Sequence, residues 1–249
     1  MNFDAGPASD YPLPDLVEIL NRGFEEYFVP IQLNVHQFLA MVRKDTIDLT
    51  ESRVLLREEE PSGIALIARR GWTCRLAAMG IAASLRGKGA GSWFMERLIE
   101  EACERRDQEM VLEVIEQNKP AIGLYRKFGF QTIRRLIGLL RTDAKEFDRD
   151  PLEEMDVREA GSLISRYGLP DLPWQLSGET VSQMTPPTRA YCKGQAIIVI
   201  SNPEAAHVVI WSLLVEPAAR GKGLGVDLLK TVIAEHAGRT WHVPAIYPE

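Results

Sequence analysis

Arg86-Gly87-Lys88-Gly89-Ala90-Gly91 is a glycine-rich loop that returns 134 residues later as Arg220-Gly221-Lys222-Gly223-Leu224-Gly225. Each loop follows an apolar run that predicts a strand, residues 76–81 in the first copy and 208–215 in the second. Apolar residues at helical spacing follow each loop. A strand, a glycine turn and a helix start leave backbone N–H groups unpaired at the positive end of the helix dipole. Both loops are therefore predicted anion sites, suited to a phosphate-bearing ligand.

A second motif follows the first loop by about 30 residues. It begins with Leu112-Glu113-Val114-Ile115-Glu116-Gln117-Asn118 and continues with Ala121, Leu124, Tyr125, Lys127, Gly129 and Phe130. Together, the two motifs resemble the GNAT superfamily of N-acetyltransferases, whose cofactor loop reads V-x-P-x-x-[QR]-x-x-G-x-[GA] and whose later segment reads N-x-x-A-x-x-L-Y-x-K-x-G-F. The second loop copy fits the first pattern throughout, whereas the first copy has Ala83 where proline is usual.

The resemblance implies a tandem arrangement with an intact first copy and an incomplete second copy, because Asn118 and Tyr125 have no counterparts in the second half. The expected fold class is α/β, or mixed α+β, with two GNAT-like units. Each unit would be a mixed, largely antiparallel sheet that is flanked by helices and contains a splayed pair of central strands. We place the first domain at residues 1–141, a polar linker at 142–152 and the second, degenerate domain at 153–249.

Composition narrows the function classes. The formal net charge of −6 disfavours a nucleic-acid partner, which would need a concentrated basic face. No apolar run approaches the ~20 residues of a membrane span, and the first ten residues lack the regions of a signal peptide. The three cysteines are widely spaced and the four histidines lack ligand spacing, so no disulfide or metal site is expected. These features favour a cytoplasmic protein without a membrane partner.

The resemblance implies that acetyl-CoA (coenzyme A) is the cofactor and that the first unit binds it and carries out catalysis. The loop would hold the pyrophosphate, the edge of the preceding strand would offer backbone N–H groups to the pantetheine and thioester, and the later helix would add polar contacts. The expected cofactor-binding residues are Met79, Ile81, Arg86, Gly87, Lys88, Gly89, Ala90, Gly91, Ser92, Asn118, Tyr125 and Lys127.

Two residues are candidate catalytic groups. An alkylamine arrives charged, with a pKa near the ~10.4 of lysine, and must lose a proton before it attacks. Glu113 is the candidate base, and Tyr125 is the candidate acid for the departing thiolate. Glu113 alternates with apolar neighbours and so also fits a solvent-facing position, while Tyr125 also fits a core aromatic. Asn118 fits an N-cap of the following helix as well as a cofactor contact.

The acceptor is expected to be an amine of a small molecule or peptide. In the GNAT superfamily the segment between the first two helices walls the acceptor pocket, which here makes Tyr27 and Phe28 candidates. A non-catalytic acyl-CoA-binding sensor or interaction module is the alternative function. The G-x-G-x-G spacing argues against a dinucleotide-binding oxidoreductase. A sheet that ended at Trp241–Ile246 would leave an exposed edge, which suggests packing against the first unit or a homodimer.

Overall fold

The computed structural model describes residues 2–141 and 150–249, so residues 142–149 of the predicted linker lie outside the described residues. The chain forms two compact units that divide between Gln131 and Thr132. This division precedes the boundary predicted at residue 141.

The first unit is a sheet with helices on its faces. Its strands are β1 (Phe3–Pro7), β2 (Ile47–Arg57), β3 (Glu60–Arg70), β4 (Thr73–Ile81) and β5 (Glu109–Val111). Its helices are α1 (Leu13–Gly23), α2 (Val35–Lys44), α3 (Ala90–Glu104) and α4 (Lys119–Lys127). The strands follow one another in chain order across the sheet, and all neighbours are antiparallel except β4 and β5.

Helix α3 supplies much of the core on one face of this sheet. Its buried side chains recur at helical spacing and pack against strands β2, β3 and β4. The residues that form this contact are Phe94, Met95, Leu98 and Ala102 of α3 with Leu55, Ile67 and Leu76 of the sheet. Because the helix is fixed along its length, the glycine-rich loop at its start has a fixed position relative to β4.

Strands, a short helix and two longer helices make up the second unit. Its strands are β6 (Leu136–Arg141), β7 (Glu153–Met155), β8 (Arg189–Lys193), β9 (Ala196–Ile200), β10 (His207–Val215) and β11 (Thr240–Pro248). Its helices are α5 (Val157–Tyr167), α6 (Gly178–Ser182) and α7 (Leu224–Glu235). The described strands form a sheet in the order β6-β11-β10-β9-β8-β7.

Strand β6 corrects two expectations. We placed all residues up to 141 in the first domain, but β6, which ends at Arg141, pairs antiparallel with β11 of the second unit. The pairing runs from Trp241 opposite Arg141 to Pro248 opposite Leu136, with one irregularity. Strand β11 therefore has a neighbour on the edge that we expected to be exposed, and the argument for a homodimer from that edge no longer applies.

Both sheets contain the predicted splayed pair. Strands β4 and β5 are parallel and pair at three positions, and strands β10 and β11 do the same. In each unit the first strand of the pair, β4 or β10, then continues toward its glycine-rich loop. A bulge lies at Ala77 in β4 and at Trp211 in β10, again 134 residues apart. The mixed α/β fold with two GNAT-like units is thus confirmed. Among the described residues, no helix is both long and apolar enough to cross a membrane.

Candidate functional site

The first glycine-rich loop joins β4 to the start of α3. Gly87 and Gly89 adopt φ angles of +73° and +89°, which glycine reaches without strain. Gly89 precedes the first turn of α3, and no side chain in the described part of the chain caps that turn. A Cβ atom on either glycine would meet nothing within 4 Å. The N–H groups of this turn therefore border open space that fits an anion, as a pyrophosphate would require.

The other loop residues divide between surface and core. Lys88 is exposed, whereas Ala90 is buried and can reach a ligand only through its backbone. A Cβ atom on Gly91 would lie 3.3 Å from Leu124 Cδ2 and 3.6 Å from Ile81 Cδ1, so α4 packs closely against the loop. This packing brings the second motif beside the first.

Two polar residues of the predicted cofactor set meet at the same place. Lys127 Nζ lies 3.4 Å from Ser92 Oγ. Ser92 is in the first turn of α3, and Lys127 is the last residue of α4. A cation and a hydroxyl next to uncapped N–H groups form a donor set that suits phosphate oxygens. These residues therefore fit the phosphates of coenzyme A.

The side chain of Arg86 contacts the protein itself. Its Nε atom donates to Ile81 O at 3.0 Å, and its Nη2 atom donates to Gly23 O at 3.0 Å and to Glu25 O at 2.9 Å. The first acceptor ends β4, and the other two lie where the chain leaves α1. In the structure the guanidinium therefore binds three backbone carbonyls, and a contact between Arg86 and the cofactor stays a prediction.

A gap opens where β4 and β5 separate. Only Thr73–Arg75 of β4 pairs with β5. Beyond Arg75, β4 pairs with β3 on one edge and with no described strand on the other. The stretch that contains Met79 and Ile81 therefore borders the gap with one backbone edge. Such an edge has N–H groups available to a carbonyl oxygen, as an acyl-transfer site requires.

Tyr125 lies on α4 and packs against the core of the first unit. Its ring centroid is 5.8 Å from that of Phe130. Burial, and then the neighbouring Tyr27, raises the pKa of Tyr125 to about 12. The phenol is therefore protonated at neutral pH, the state in which it can donate a hydrogen bond. The core-aromatic alternative therefore applies to this residue, and its role as the acid stays a prediction.

Glu113 takes part in a partly buried ion pair that the sequence did not predict. Its Oε2 atom lies 2.9 Å from Arg75 Nε, and Asp45 Oδ2 lies 3.8 Å from Arg75 Nη1. The side chain of Arg75 is 5% exposed and that of Glu113 is 22% exposed. Glu113 therefore does not simply face solvent, since its carboxylate is fixed by a buried guanidinium. The available sequence signal was Arg75 itself, a cation within an otherwise apolar strand.

Aromatic rings line the segment that follows α1. Phe24 and Tyr27 meet edge to face at 5.1 Å between centroids, and Tyr27 and Phe28 do so at 5.6 Å. Phe28 is 55% exposed, which is high for a large apolar side chain. The predicted acceptor residue Tyr27 thus packs against Phe24 and Phe28 and contributes to the raised pKa of Tyr125, while Phe28 lies at the surface.

Asn118 caps helix α4. Its side chain accepts a hydrogen bond from the backbone N–H of Ala121 at 3.2 Å, and Pro120 occupies the first turn. The N-cap interpretation is therefore confirmed. A cofactor contact by the same side chain stays a prediction.

The second unit contains the same glycine-rich loop, but different residues lie in the gap between its splayed strands β10 and β11. Gly221 and Gly223 adopt φ angles of +77° and +80°, close to those in the first loop. Across the splay, Tyr247 Oη donates to Trp211 O at 2.8 Å, and burial raises the pKa of Tyr247. A cavity of about 270 Å³ remains, lined mainly by apolar residues and by Arg220. The phenol bonded to Trp211 O, at the bulge of β10, thus occupies part of the gap between the two strands.

Comparison with known proteins decides the family. The sequence model of the Acetyltransferase (GNAT) family matches residues 13–130 and 191–247, which together are more than half of the chain. The chain belongs to the GNAT family. Both matched regions of this GNAT protein contain a copy of the glycine-rich loop, which agrees with the tandem arrangement. No curated protein sequence matches the chain significantly.

Solved GNAT structures share the fold along nearly the whole chain. A GCN5-related N-acetyltransferase from Sphaerobacter thermophilus has a TM-score of 0.68 at 14% identity, over 97% of this chain and 85% of that one. A tandem GNAT protein from the clavulanic acid biosynthesis pathway has a TM-score of 0.64 at 13% identity, over 98% and 90%. A GCN5-related N-acetyltransferase from Anabaena variabilis has a TM-score of 0.65 at 20% identity, over 99% and 67%. At these identities the similarity is one of fold.

Proposed function

We propose that this GNAT protein is an acetyl-CoA-dependent N-acetyltransferase and that its first unit moves the acetyl group to a primary amine. The observation that carries the proposal is the convergence of three features in that unit. These are the uncapped glycine loop, the free edge of β4 and the partly buried phenol of Tyr125. Together they offer groups for a phosphate, a carbonyl oxygen and a departing thiolate.

Each group has a defined task in direct transfer. Bound acetyl-CoA would supply the acetyl group as a thioester. Glu113 would accept a proton from the incoming ammonium, so that the neutral amine can form the new C–N bond. As the C–S bond breaks, Tyr125 would donate its proton to the thiolate, and the phenolate that remains would take up the second proton, which the nitrogen loses as the amide forms. The edge of β4 would stabilise charge on the carbonyl oxygen. A covalent enzyme intermediate is not required.

The second unit is proposed to support the first rather than to catalyse. The second motif, from Asn118 to Phe130, is in the first unit, and Tyr247 fills part of the splay in the second. A homodimer stays a prediction. Light scattering at several concentrations would test it, with a mass of twice 28.0 kDa expected for a dimer.

A non-catalytic acyl-CoA sensor is the second candidate. The observation that favours it is the ion pair between Arg75 and Glu113, which already engages the candidate base. Calorimetry with acetyl-CoA would measure binding, and a thiol-release assay over small amines, polyamines and peptide amino termini would measure turnover. Binding with thiol release on at least one amine supports the enzyme. Binding without release on any amine supports the sensor, and no binding contradicts both.

The role of Glu113 can be separated from its ion pair by two variants. Glu113→Gln and Asp45→Asn each remove a carboxylate that faces Arg75, so both should lower stability. Only Glu113→Gln should also lower kcat, by about tenfold, because an amide cannot accept the proton. Steady-state kinetics on both variants checks this. Equal kcat values in the two variants would assign Glu113 to structure alone.

A further inference from the structure

The guanidinium of Arg86 links the cofactor loop to the segment that carries Tyr27 and Phe28. This segment, residues 24–33, is called the acceptor loop below. Arg86 donates to Gly23 O and Glu25 O at the start of the acceptor loop, and to Ile81 O at the end of β4. The last carbonyls of a helix lack intrahelical donors, so a cation at the end of α1 satisfies them and complements the helix dipole.

A second set of hydrogen bonds holds the other end of the acceptor loop. We call this set and the hydrogen bonds of Arg86 the two clamps of the loop. The side chain of Asn21 accepts from the Leu33 N–H and donates to the Leu33 carbonyl, both at 2.9 Å. Between the two clamps, Glu26 has a φ of +61°, a conformation that a non-glycine residue rarely adopts. The loop is therefore held by hydrogen bonds at both ends, and it carries Tyr27, which contributes to the raised pKa of Tyr125.

The second unit contains the same link. Arg220 Nε donates to Val215 O at 3.0 Å, and Arg220 Nη2 donates to Tyr167 O at 2.7 Å. Val215 ends β10 as Ile81 ends β4, and Tyr167 ends α5 as Gly23 ends α1. The link therefore recurs although the two units differ in the residues that line their gaps. In both units the arginine thus connects the glycine-rich loop to the end of the first helix of that unit, α1 or α5.

We infer that Arg86 is a positioning residue for the amine acceptor and not a ligand of the pyrophosphate. This inference rests on the proposed function. The guanidinium donates hydrogen bonds to backbone carbonyls at the start of the acceptor loop. The uncapped N–H groups, Ser92 and Lys127 are then the groups that can bind the phosphates. Loss of Arg86 should consequently weaken the use of the amine and leave acetyl-CoA binding nearly unchanged.

Three variants of the full chain test the inference. Arg86→Gln removes the cation and most of the clamp, Arg86→Lys keeps the cation, and Arg220→Gln breaks the matching link in the second unit. Hydrogen exchange should become faster in residues 24–33 in Arg86→Gln only. Calorimetry should give an acetyl-CoA Kd within about twofold of wild type, because no phosphate donor is lost.

Kinetics completes the test with the amine that gives the most thiol release in the panel. Arg86→Gln should raise the KM for that amine about tenfold with a smaller change in kcat, as expected for the loss of charge-assisted hydrogen bonds that order the loop. Arg86→Lys should recover part of this change. Arg220→Gln should keep both KM values of wild type.

Opposite results would overturn the assignment. A tenfold weaker acetyl-CoA Kd in Arg86→Gln with an unchanged amine KM would make Arg86 a phosphate ligand. Unchanged exchange in residues 24–33 would show that the clamp does not hold the acceptor loop. If wild type released no thiol with any amine, the proposed function would fail, whereas exchange and calorimetry would still decide what Arg86 holds.

Discussion

Tyr125→Phe is expected to lower kcat about 100-fold while the Kd for acetyl-CoA stays near that of wild type. The variant removes one hydroxyl and keeps the ring that packs near Phe130. General acid catalysis contributes roughly 10²–10⁴ in rate. We expect the lower end of that range, because a phenol whose pKa is raised to about 12 is a weaker acid than free tyrosine. Steady-state kinetics and calorimetry measure the two quantities.

A matched control is Tyr11→Phe, which removes a hydroxyl from the same unit. Burial raises the pKa of Tyr11 as well, and its hydroxyl lies near Gly6 of β1. This variant should keep kcat. If Tyr125→Phe turned over as fast as Tyr11→Phe, Tyr125 would have no part in the chemistry and would be a core aromatic only.

The pH profile gives an independent check on Tyr125. A phenol loses its proton as the pH rises through its pKa, and burial together with Tyr27 raises that pKa to about 12. The donor form of Tyr125 is therefore present across the neutral range and beyond pH ~10, where an unperturbed tyrosine would titrate. Any fall in kcat between neutral pH and pH ~10 should thus persist in Tyr125→Phe, because it belongs to another group.

The strand and helices around the first glycine-rich loop could be predicted from the sequence, because interactions between residues close in the chain determine them. Strand β4 ends at Ile81, where the predicted strand ends, and helix α4 begins directly after Asn118, the predicted N-cap. Glycines at positive φ, an N-cap asparagine and apolar periodicity all act within a few residues. Such signals are readable without knowledge of the tertiary fold.

The pairing of strands in the sheets was harder to predict, because the sequence pattern of a strand does not indicate which other strand it pairs with. The first ten residues show no alternation of apolar and polar side chains and so give only a weak strand signal, yet β1 pairs with β2 along its whole length. The residues of β6 were placed in the first domain, but the strand pairs with β11 in the sheet of the second unit. In both cases the partner is distant in the chain, so tertiary context decided the outcome.

The same limit applies to side chains of the candidate site. Arg86 and Gly23 are 63 residues apart, and Arg75 and Glu113 are 38 apart. The motif indicated that Arg86 and Glu113 matter, but the contacts that give them their roles lie outside any local pattern. Sequence reasoning therefore named candidate residues for the site but could not predict which groups each of them contacts.

Gly23→Ala is expected to destabilise the protein by about 3 kcal/mol, the upper part of the range for overpacking. A Cβ atom on Gly23 would lie 2.8 Å from the carbonyl carbon of Gly80 and 2.9 Å from its Cα. Both are backbone atoms of β4, so no side chain can move aside. Helix α1 would have to shift away from the strand, and the clamp from Arg86 to Gly23 O would lengthen with it.

Two further substitutions make the expectation specific to this contact. In Gly80→Ala the new Cβ atom would lie 3.1 Å from the C and Cα atoms of Gly23, on the opposite side of the same contact. This variant should lower the free energy of unfolding by less, about 1–2 kcal/mol. Gly123→Ala in α4 meets nothing within 4 Å and should gain up to about 1 kcal/mol, since alanine favours a helix interior. Urea unfolding of the three variants orders them. If Gly23→Ala unfolded at the same urea concentration as wild type, α1 could not be packed against β4 through these two glycines, and the position of the acceptor loop would need another support.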